Sequence, residues 1–277
     1  MIPTLADLIP GLPPLGMHSV MVALAFAAAG VVFSIERRRR GVTDPRIAYV
    51  VLGCVAGAAL AARLGTWFQH LNPAENLSLV DQLLHGNASF LAALFGAWIG
   101  VHVSKAIVGY PDRTGDLFAP AVALAMAIGR VGCLLTENPG LPTGSGWGIV
   151  LDPAAAARVG APAGVGLHPS FVYEIAFHLV AFGVLWLWLR FTPVAPGELL
   201  TLYIAAYAGF RFLIEFVRDN DVAWLGLTRP QLFLAVTIPV LLVRIALLVR
   251  RGAFDGVLPG SRRSASGEAG VTRERHA

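Results

Sequence analysis

The chain has 277 residues, of which 56% are hydrophobic and 14% are charged, and its mean hydropathy is +0.67. Soluble domains carry about 25% charged residues, so this composition excludes an ordinary soluble protein and indicates a polytopic membrane protein. The formal net charge of +4 at pH 7 is mainly a topology signal. It predicts attraction of basic loops to anionic membrane lipids, and we expect no nucleic-acid partner.

Seven apolar runs predict the transmembrane helices. A hydrocarbon core about 30 Å thick requires roughly 20 apolar residues per helix. The runs lie near residues 18–35, 47–65, 89–109, 117–135, 170–191, 197–217 and 229–250. The sequence therefore predicts an all-α, seven-helix transmembrane domain over residues 1–251, followed by a disordered basic tail over residues 252–277.

Basic residues outside the runs predict the orientation of the chain. If the N-terminus lies outside, the arginines at 37–40 and at 250–251 fall on the cytoplasmic side, where such residues concentrate. The outer segments then carry few arginines. We therefore expect the N-terminus outside and the C-terminus in the cytoplasm.

The second run contains small residues, among them Gly53 and Gly57, that favour close helix packing. Its Cys54 and the distant Cys133 form neither a disulfide framework nor a metal-binding spacing, so we expect each to pack as a small apolar residue. The segment 66–88 that follows this run has amphipathic patches suited to the membrane interface.

The fourth run carries a charge at an unusual depth. An arginine within a bilayer costs roughly 2.5–3.5 kcal/mol even on a lenient insertion scale, so Arg130 must face a protein interior or a wet cavity. Gly129 and Gly132 leave room beside it for another backbone or a ligand. Glu137 follows two turns later, where an Asn-Pro pair ends the helix.

The outer segment 136–168 is rich in glycine, proline and alanine. Its length exceeds that of an idle connection in a compact domain, so we expect a lid or a substrate-binding loop. The fifth run then begins near His168 and brings Glu174 and His178 to one helix face at a spacing of four. Without a third ligand, this pair favours a local hydrogen bond over a metal site.

The sixth run ends in a polar stripe. Tyr207, Arg211, Glu215 and Arg218 follow one another at spacings of four, four and three, and therefore share one helix face. Two interpretations stay open. Either Arg211 and Glu215 neutralise each other and only lock the bundle, or the stripe binds a lipid head group.

Several motifs occur in an order that resembles prolipoprotein diacylglyceryl transferases, with similarity from about residue 15 to residue 250. They are Gly129-Arg130-Val131-Gly132, the Trp147-Gly148 loop, His168-Pro169-Ser170-Phe171-Val172-Tyr173-Glu174, and Tyr207-Ala208-Gly209-Phe210-Arg211-Phe212-Leu213-Ile214-Glu215-Phe216-Val217-Arg218, followed by Asp221 and Gln231. The resemblance implies a multi-pass enzyme of the bacterial inner membrane with an outward-facing site. Such an enzyme moves the diacylglyceryl group of phosphatidylglycerol to the lipobox cysteine thiol of prolipoproteins and releases glycerol phosphate.

The chemistry of that reaction indicates roles for these residues. Cations must hold the phosphoryl oxygens as the leaving group gains charge, and the planar fork of arginine makes Arg130 and Arg211 catalytic candidates. The incoming thiol must lose its proton, which Glu137 or Glu215 can accept, unless they hold an arginine in place. The predicted substrate-binding residues are Tyr207, Arg218, His168, Tyr173, Glu174 and Cys133. The sequence has no cofactor motif, so we expect chemistry without a cofactor or a metal.

The chain departs from the family's pattern at several places. Leu91 stands where the family has the histidine of a His-Gly-Gly motif, and Cys133 stands where it has an asparagine. Asn138 occupies the place of a family acid, and His18-Ser19-Val20 replaces a Trp-Tyr-Gly-like segment. Because leucine accepts no proton, we expect slow thiol activation unless Glu137, Glu215 or a histidine such as His85 takes over.

Two further classes of function stay open. A divergent member of the family can serve another lipid transfer, or bind lipids or lipoproteins without catalysis. A secondary transporter is the third class, and the absence of paired broken helices in two halves of the sequence counts against it.

Overall fold

The computed structural model describes residues 4–9, 11, 15–67, 76–85 and 88–257. In this part of the chain the α-helices are α1 (Leu5–Leu8), α2 (Met17–Arg39), α3 (Ile47–Trp67), α4 (Leu79–His85), α5 (Phe90–Val108), α6 (Gly115–Thr136), α7 (Pro153–Val159), α8 (Ser170–Gly183), α9 (Glu198–Ile214) and α10 (Arg229–Arg250). Four short strands form two antiparallel pairs: β1 (Ile149–Val150) with β2 (Gly166–Leu167), and β3 (Val222–Trp224) with β4 (Leu227–Thr228).

Seven of the described helical segments are long and apolar enough to cross a membrane. They are Met17–Arg39, Ile47–Trp67, Phe90–Val108, Gly115–Thr136, Ser170–Phe191, Glu198–Val217 and Arg229–Arg250. The seven predicted runs and the all-α fold class are therefore confirmed, and the protein is a multi-pass membrane protein. The inside and outside assignment of the termini stays a prediction.

Two of the spans end in irregular turns. The fifth span continues from α8 into a π-helical turn at Val184–Trp188 and a 3₁₀ turn at Leu189–Phe191. The sixth continues from α9 into a 3₁₀ turn at Glu215–Val217. 3₁₀ turns are frequent at helix ends, and π-helical turns, which are rare, often occur at functional sites.

The chain divides into two compact units, one formed by Met1–Arg40 with Arg113–Ala277 and the other by Gly41–Asp112. In the second unit, α3 and α5 pack with their backbones in contact. A Cβ atom on Gly57 would lie 2.3 Å from the carbonyl oxygen of Gly96, a distance that no side chain tolerates. The glycines of the second run therefore permit the close approach that the sequence predicted.

The first unit contains α2, α6, α8, α9 and α10. A core cluster between α6, α8 and α9 includes Ala119, Ala123, Leu199 and Tyr203, together with Leu185 from the π-helical turn. Since two of these are alanines of α6, the neighbouring helices approach it closely.

Buried acids at one end of this unit are neutralised by arginines. The fully buried Glu36 lies 2.9 Å from Arg39 and 2.8 Å from Arg190. Glu198, which begins α9, pairs with Arg113 at 2.6 Å and with Arg244 at 3.0 Å. These ion pairs satisfy carboxylates that would be costly to bury alone, and they fix the helix ends relative to one another.

The segment between α6 and α8 is folded. It contains α7 and the β1–β2 pair, in which Ile149 faces Leu167. Leu151, Ala155 and Ala156 pack against Leu167 in a small core of their own. The expected role of this segment as a lid or a substrate-binding loop stays a prediction.

The predicted tail lies largely outside the described residues, which end at 257. Residues 252–257 form turns in which Ala253 and Phe254 are buried, and the Ala195 amide donates to the Ala253 carbonyl at 2.9 Å. Val257 packs against the core cluster. The tail boundary at residue 252 and the single domain over residues 1–251 stay predictions.

Two truncations test where the tail begins. Deletion of residues 258–277 should leave the melting temperature in detergent unchanged. Deletion of residues 252–277 should lower it, because burial of a side chain such as Phe254 contributes about 1.5–3 kcal/mol. Equal melting temperatures for both truncated proteins would show that the contacts of residues 253–257 contribute nothing.

Candidate active site

One buried carboxylate holds the centre of the site. Glu174, on the first turns of α8, is 0% exposed. Its Oε2 lies 2.7 Å from Nε of Arg130 on α6, and its Oε1 accepts a hydrogen bond of 3.0 Å from Nη1 of Arg218, just beyond α9. Two arginines from different helices therefore share one carboxylate.

The hydroxyl of Tyr207 joins the same cluster from α9. Arg130 Nη2 donates to the Tyr207 hydroxyl at 3.3 Å, and this hydroxyl donates to Glu174 Oε2 at 3.4 Å. Tyr207 is buried. The structure thus brings together four of the residues that the sequence predicted for the site: Arg130, Glu174, Tyr207 and Arg218.

The cluster has an excess of positive charge. Arg130 and Arg218 contribute two positive charges and Glu174 one negative charge, so one positive charge remains. Burial lowers the pKa of Arg218 from its ordinary value, and the charge of nearby Arg211 adds to this shift, while Glu174 opposes it. Both guanidinium groups keep partial access, since each side chain is 12% exposed. An anionic ligand is the natural complement of this cluster.

A second, neutral ion pair lies beside it. Arg211 Nη1 donates to Glu215 Oε2, one helical turn away, so the two residues form the ion pair of the first of the two open interpretations. The other carboxylate oxygen of Glu215 accepts from Asn220 at 2.6 Å and from the Thr228 hydroxyl at 2.8 Å. Glu215 therefore ties the end of α9 to the start of α10, where Thr228 also caps the helix.

The predicted local hydrogen bond between Glu174 and His178 is wrong. Glu174 is occupied by the two arginines, and His178 Nδ1 lies 2.9 Å from the hydroxyl of Tyr203 instead. A spacing of four places the two residues on one face, but each is bound by residues from other parts of the chain: Glu174 by Arg130 and Arg218, and His178 by Tyr203.

His168 and Tyr173 lie together near the start of α8. His168 Nδ1 is 3.5 Å from the Tyr173 hydroxyl, and the Trp147 ring packs edge-on against His168 with 5.3 Å between ring centroids. Two of the predicted substrate-binding residues, His168 and Tyr173, are therefore adjacent to one another and to Trp147 of the outer segment. Asn138, in turn, donates to Asp219 at 2.8 Å and links the end of α6 to the turn after α9.

His18, which was not among the predicted site residues, lies beside Cys133 and Glu137. Arg130 Nη1 is 3.8 Å from Cys133 Sγ, and on the other side His18 Nδ1 is 3.9 Å from the same sulfur and 3.7 Å from Glu137 Oε1. Both His18 and Cys133 depart from the family's pattern, and this departure is the signal in the sequence that could have marked them. More than 100 residues separate them, so no local spacing joined them.

An apolar groove of about 730 Å³ runs along α8 and α9. Its walls include Tyr173, Phe177, Ala206 and Phe210, and it reaches Leu189 beyond the π-helical turn. Phe177 stacks on Phe210 with 4.4 Å between centroids and lies 5.9 Å from the ring of Tyr207. The groove therefore begins next to the arginine cluster.

The fold and the site define a multi-pass membrane protein that holds an arginine-rich cluster beside a groove of apolar side chains. Comparison with known proteins identifies the family: the model of prolipoprotein diacylglyceryl transferase matches residues 6–250, and the chain belongs to this family of transferases.

Relatives named phosphatidylglycerol–prolipoprotein diacylglyceryl transferase occur in several bacteria. The one from Bordetella bronchiseptica is 30% identical over 249 residues, which cover 83% of this chain and 88% of the relative. The one from Chromohalobacter salexigens is 32% identical over 253 residues, or 86% of this chain and 89% of the relative. A shorter match, to a Dehalococcoides mccartyi protein, is 36% identical over 184 residues and covers 64% of this chain and 66% of the relative.

The two glutamates should differ in their effect on stability. Glu215→Gln leaves Arg211 buried without its counter-charge, which should destabilise the fold by about 3–5 kcal/mol. The side chain of Glu137 is 44% exposed, so Glu137→Gln should change stability by no more than about 0.5 kcal/mol. Unfolding in detergent, followed for both variants, checks this difference. Equal stabilities would mean that the Arg211–Glu215 pair is not required for the fold.

Proposed function

We propose that the protein transfers the diacylglyceryl group of phosphatidylglycerol to the lipobox cysteine thiol of prolipoproteins and releases glycerol phosphate. In this proposal the chain lies in the bacterial inner membrane, with the end of the bundle that holds Arg130 on the outer side. The observation that carries the proposal is the pair Arg130 and Arg218 around Glu174, with one positive charge in excess. The names of the relatives support the same reaction.

The charge of the cluster matches the donor lipid. The phosphodiester of phosphatidylglycerol carries one negative charge, equal and opposite to the net charge of the three groups. As the bond between the glycerol carbon and the phosphate oxygen breaks, negative charge grows on that oxygen. Two guanidinium groups already held in place by Glu174 stabilise it without reorganising.

The groove suits the acyl chains of the same lipid. It is lined by aliphatic and aromatic side chains and begins at Phe177, against the ring of Tyr207. A lipid with its phosphate at Arg130 and Arg218 can therefore lay an acyl chain along α8 and α9. This arrangement leaves the glycerol carbon that reacts close to Tyr207, whose hydroxyl is a hydrogen-bond donor.

We assign the phosphate contacts to Arg130 and Arg218, and a supporting role to Arg211. Arg211 is engaged by Glu215, which is itself held by two further donors. In this assignment Arg211 and Glu215 keep the end of α9 in place so that Arg218 reaches the site. The alternative, in which Arg211 itself contacts the phosphate, predicts that Arg218 is dispensable.

The acceptor peptide is proposed to bind at the outer segment. Trp147, which is 53% exposed, packs against His168, and His168 lies beside Tyr173 at the mouth of the groove. Glu137 is the solvent-accessible acid next to Cys133, and the incoming thiol is proposed to lose its proton beside it.

The purified full-length protein, supplied with phosphatidylglycerol vesicles and a lipobox peptide, tests the reaction. The peptide should gain the mass of one diacylglyceryl group, and glycerol phosphate should appear in equal amount. Lipid binding without a change in peptide mass would overturn the transfer and support the non-catalytic alternative. Transport of an unrelated solute would support the transporter.

Lysine substitutions should separate the arginines that contact phosphate from one that does not. In the same assay, Arg130→Lys and Arg218→Lys should each lower kcat/KM by about 10²–10³, because the paired donors of the guanidinium fork are lost. Arg250→Lys, at the exposed end of α10, is the matched control and should behave as the wild type. Full activity of Arg218→Lys would move the phosphate site to Arg211.

A bulky residue placed in the groove should change how KM depends on the chain length of the lipid. Ala206→Trp fills part of the groove and should raise KM for long-chain phosphatidylglycerol more than for a short-chain analogue. Ala246→Trp, at an exposed position of α10 that does not line the groove, provides the matched control. If both variants change KM equally for both lipids, the groove does not hold the acyl chain.

A further inference from the structure

Three different ligand types converge beside Arg130. His18 Nδ1, Cys133 Sγ and a carboxylate oxygen of Glu137 all lie within 4.8 Å of one another. The imidazole nitrogen is 3.9 Å from the sulfur and 3.7 Å from the carboxylate oxygen. These are an N, an S and an O donor, the set that zinc accepts in proteins.

The local fold positions all three groups. Cys133 and Glu137 are one helical turn apart, and the Glu137 amide donates to the Cys133 carbonyl at 2.8 Å. His18 comes from the start of α2. Gly132 lets α2 approach at this level, because a Cβ atom there would lie 3.0 Å from Cβ of Met21 and 3.2 Å from the His18 Cα. Two helices, α2 and α6, therefore position the three side chains.

The distances are close to those of a metal site. Zinc bonds of about 2.3 Å to sulfur and 2.0–2.2 Å to nitrogen and oxygen place neighbouring donors of a tetrahedral site about 3.3–3.6 Å apart. The observed separations from the imidazole exceed these by only a few tenths of an ångström. All three donor atoms lie within 4.8 Å of one another, and the side chains of His18 and Glu137, which are 49% and 44% exposed, have room to move toward a shared ion.

We propose that His18, Cys133 and Glu137 bind one zinc ion and leave its fourth position open to a thiol. Three protein ligands and one open position are the pattern of catalytic zinc sites, whereas structural sites are closed by four. The part of this proposal that concerns the thiol rests on the proposed function, because it takes the acceptor cysteine as the fourth ligand.

Leu91 stands where the family has a histidine and cannot accept the thiol proton, and zinc at this position removes the need for that base. A thiol that coordinates zinc loses its proton without a histidine base. The thiolate sulfur then attacks the glycerol carbon of the lipid: the new S–C bond forms, the C–O bond breaks, and its electron pair leaves with the phosphate oxygen of glycerol phosphate. The thiol proton goes to solvent. No oxidant or reductant takes part, and zinc keeps its charge throughout.

The position of Arg130 fits both halves of this reaction. Its Nη1 lies 3.8 Å from Cys133 Sγ and its Nε lies 2.7 Å from Glu174. The zinc site and the proposed phosphate site are therefore joined through one side chain. The attacking sulfur and the departing oxygen lie on its two sides.

Metal binding is tested without lipid. The full-length chain, prepared without a histidine tag, is stripped with a chelator and titrated with zinc, and bound metal is measured by mass spectrometry of the elements. We expect one equivalent of zinc. His18→Asn, Cys133→Ser and Glu137→Gln should each weaken binding by at least about 10–100-fold, the loss found even for groups that only support a metal ligand. Cys54→Ser is the matched cysteine control and should bind zinc as the wild type does.

Cobalt(II) reports on the fourth position. Bound cobalt should show a thiolate charge-transfer absorption that disappears in Cys133→Ser and grows when a lipobox peptide is added. A peptide with serine in place of its cysteine should cause no growth. Unchanged zinc affinity in Cys133→Ser, or a cobalt spectrum that ignores the peptide thiol, would overturn the proposal.

The experiments distinguish a failure of the zinc proposal from a failure of the proposed transfer reaction. Zinc and cobalt binding that depend on the three residues, together with no gain in peptide mass, would remove the transfer reaction and leave the metal site standing. Peptide modification that proceeds at the same rate in the chelator-stripped protein would remove the zinc proposal and leave the transfer reaction standing.

Discussion

The neutralisation of Glu174 by two arginines is the interaction on which the first unit depends. A carboxylate that is 0% exposed is tolerated within an apolar bundle only if charged partners reach it. Those partners, Arg130 and Arg218, lie 44 residues from it on either side, on α6 and beyond the end of α9. The requirement that these charges meet brings the ends of three helices together, and it leaves one positive charge that a substrate can complement.

Sequence reasoning succeeded where one signal dominates. The seven spans follow from long apolar runs, because a bilayer accepts few other structures. The Arg211–Glu215 pair follows from a spacing of four on one helix, where helical geometry alone brings the side chains together. The resemblance named the family correctly from the same polar stripe and from the motif that contains Glu174.

Sequence reasoning failed where partners come from different helices. Glu174 and His178 share a helix face, yet each is bound by a residue of another helix, because tertiary packing outweighs a weak local contact. The contact between His18 and Cys133 also depends on tertiary packing. The sequence around one residue does not indicate the other, and the close approach of α2 and α6 at Gly132 brings them together.

The groove along α8 and α9 has a consequence for how the protein meets its lipid. Val180, one of its walls, lies within the fifth span and is 66% exposed, so the groove is open to the side. From Tyr173 to Leu189 it follows about 24 Å of helix, which is more than the half-thickness of a bilayer's hydrocarbon core. A lipid can therefore slide in by lateral diffusion while its chains stay in an apolar medium. For such a site the governing variable is the mole fraction of the lipid in the membrane plane, and its concentration in water is irrelevant.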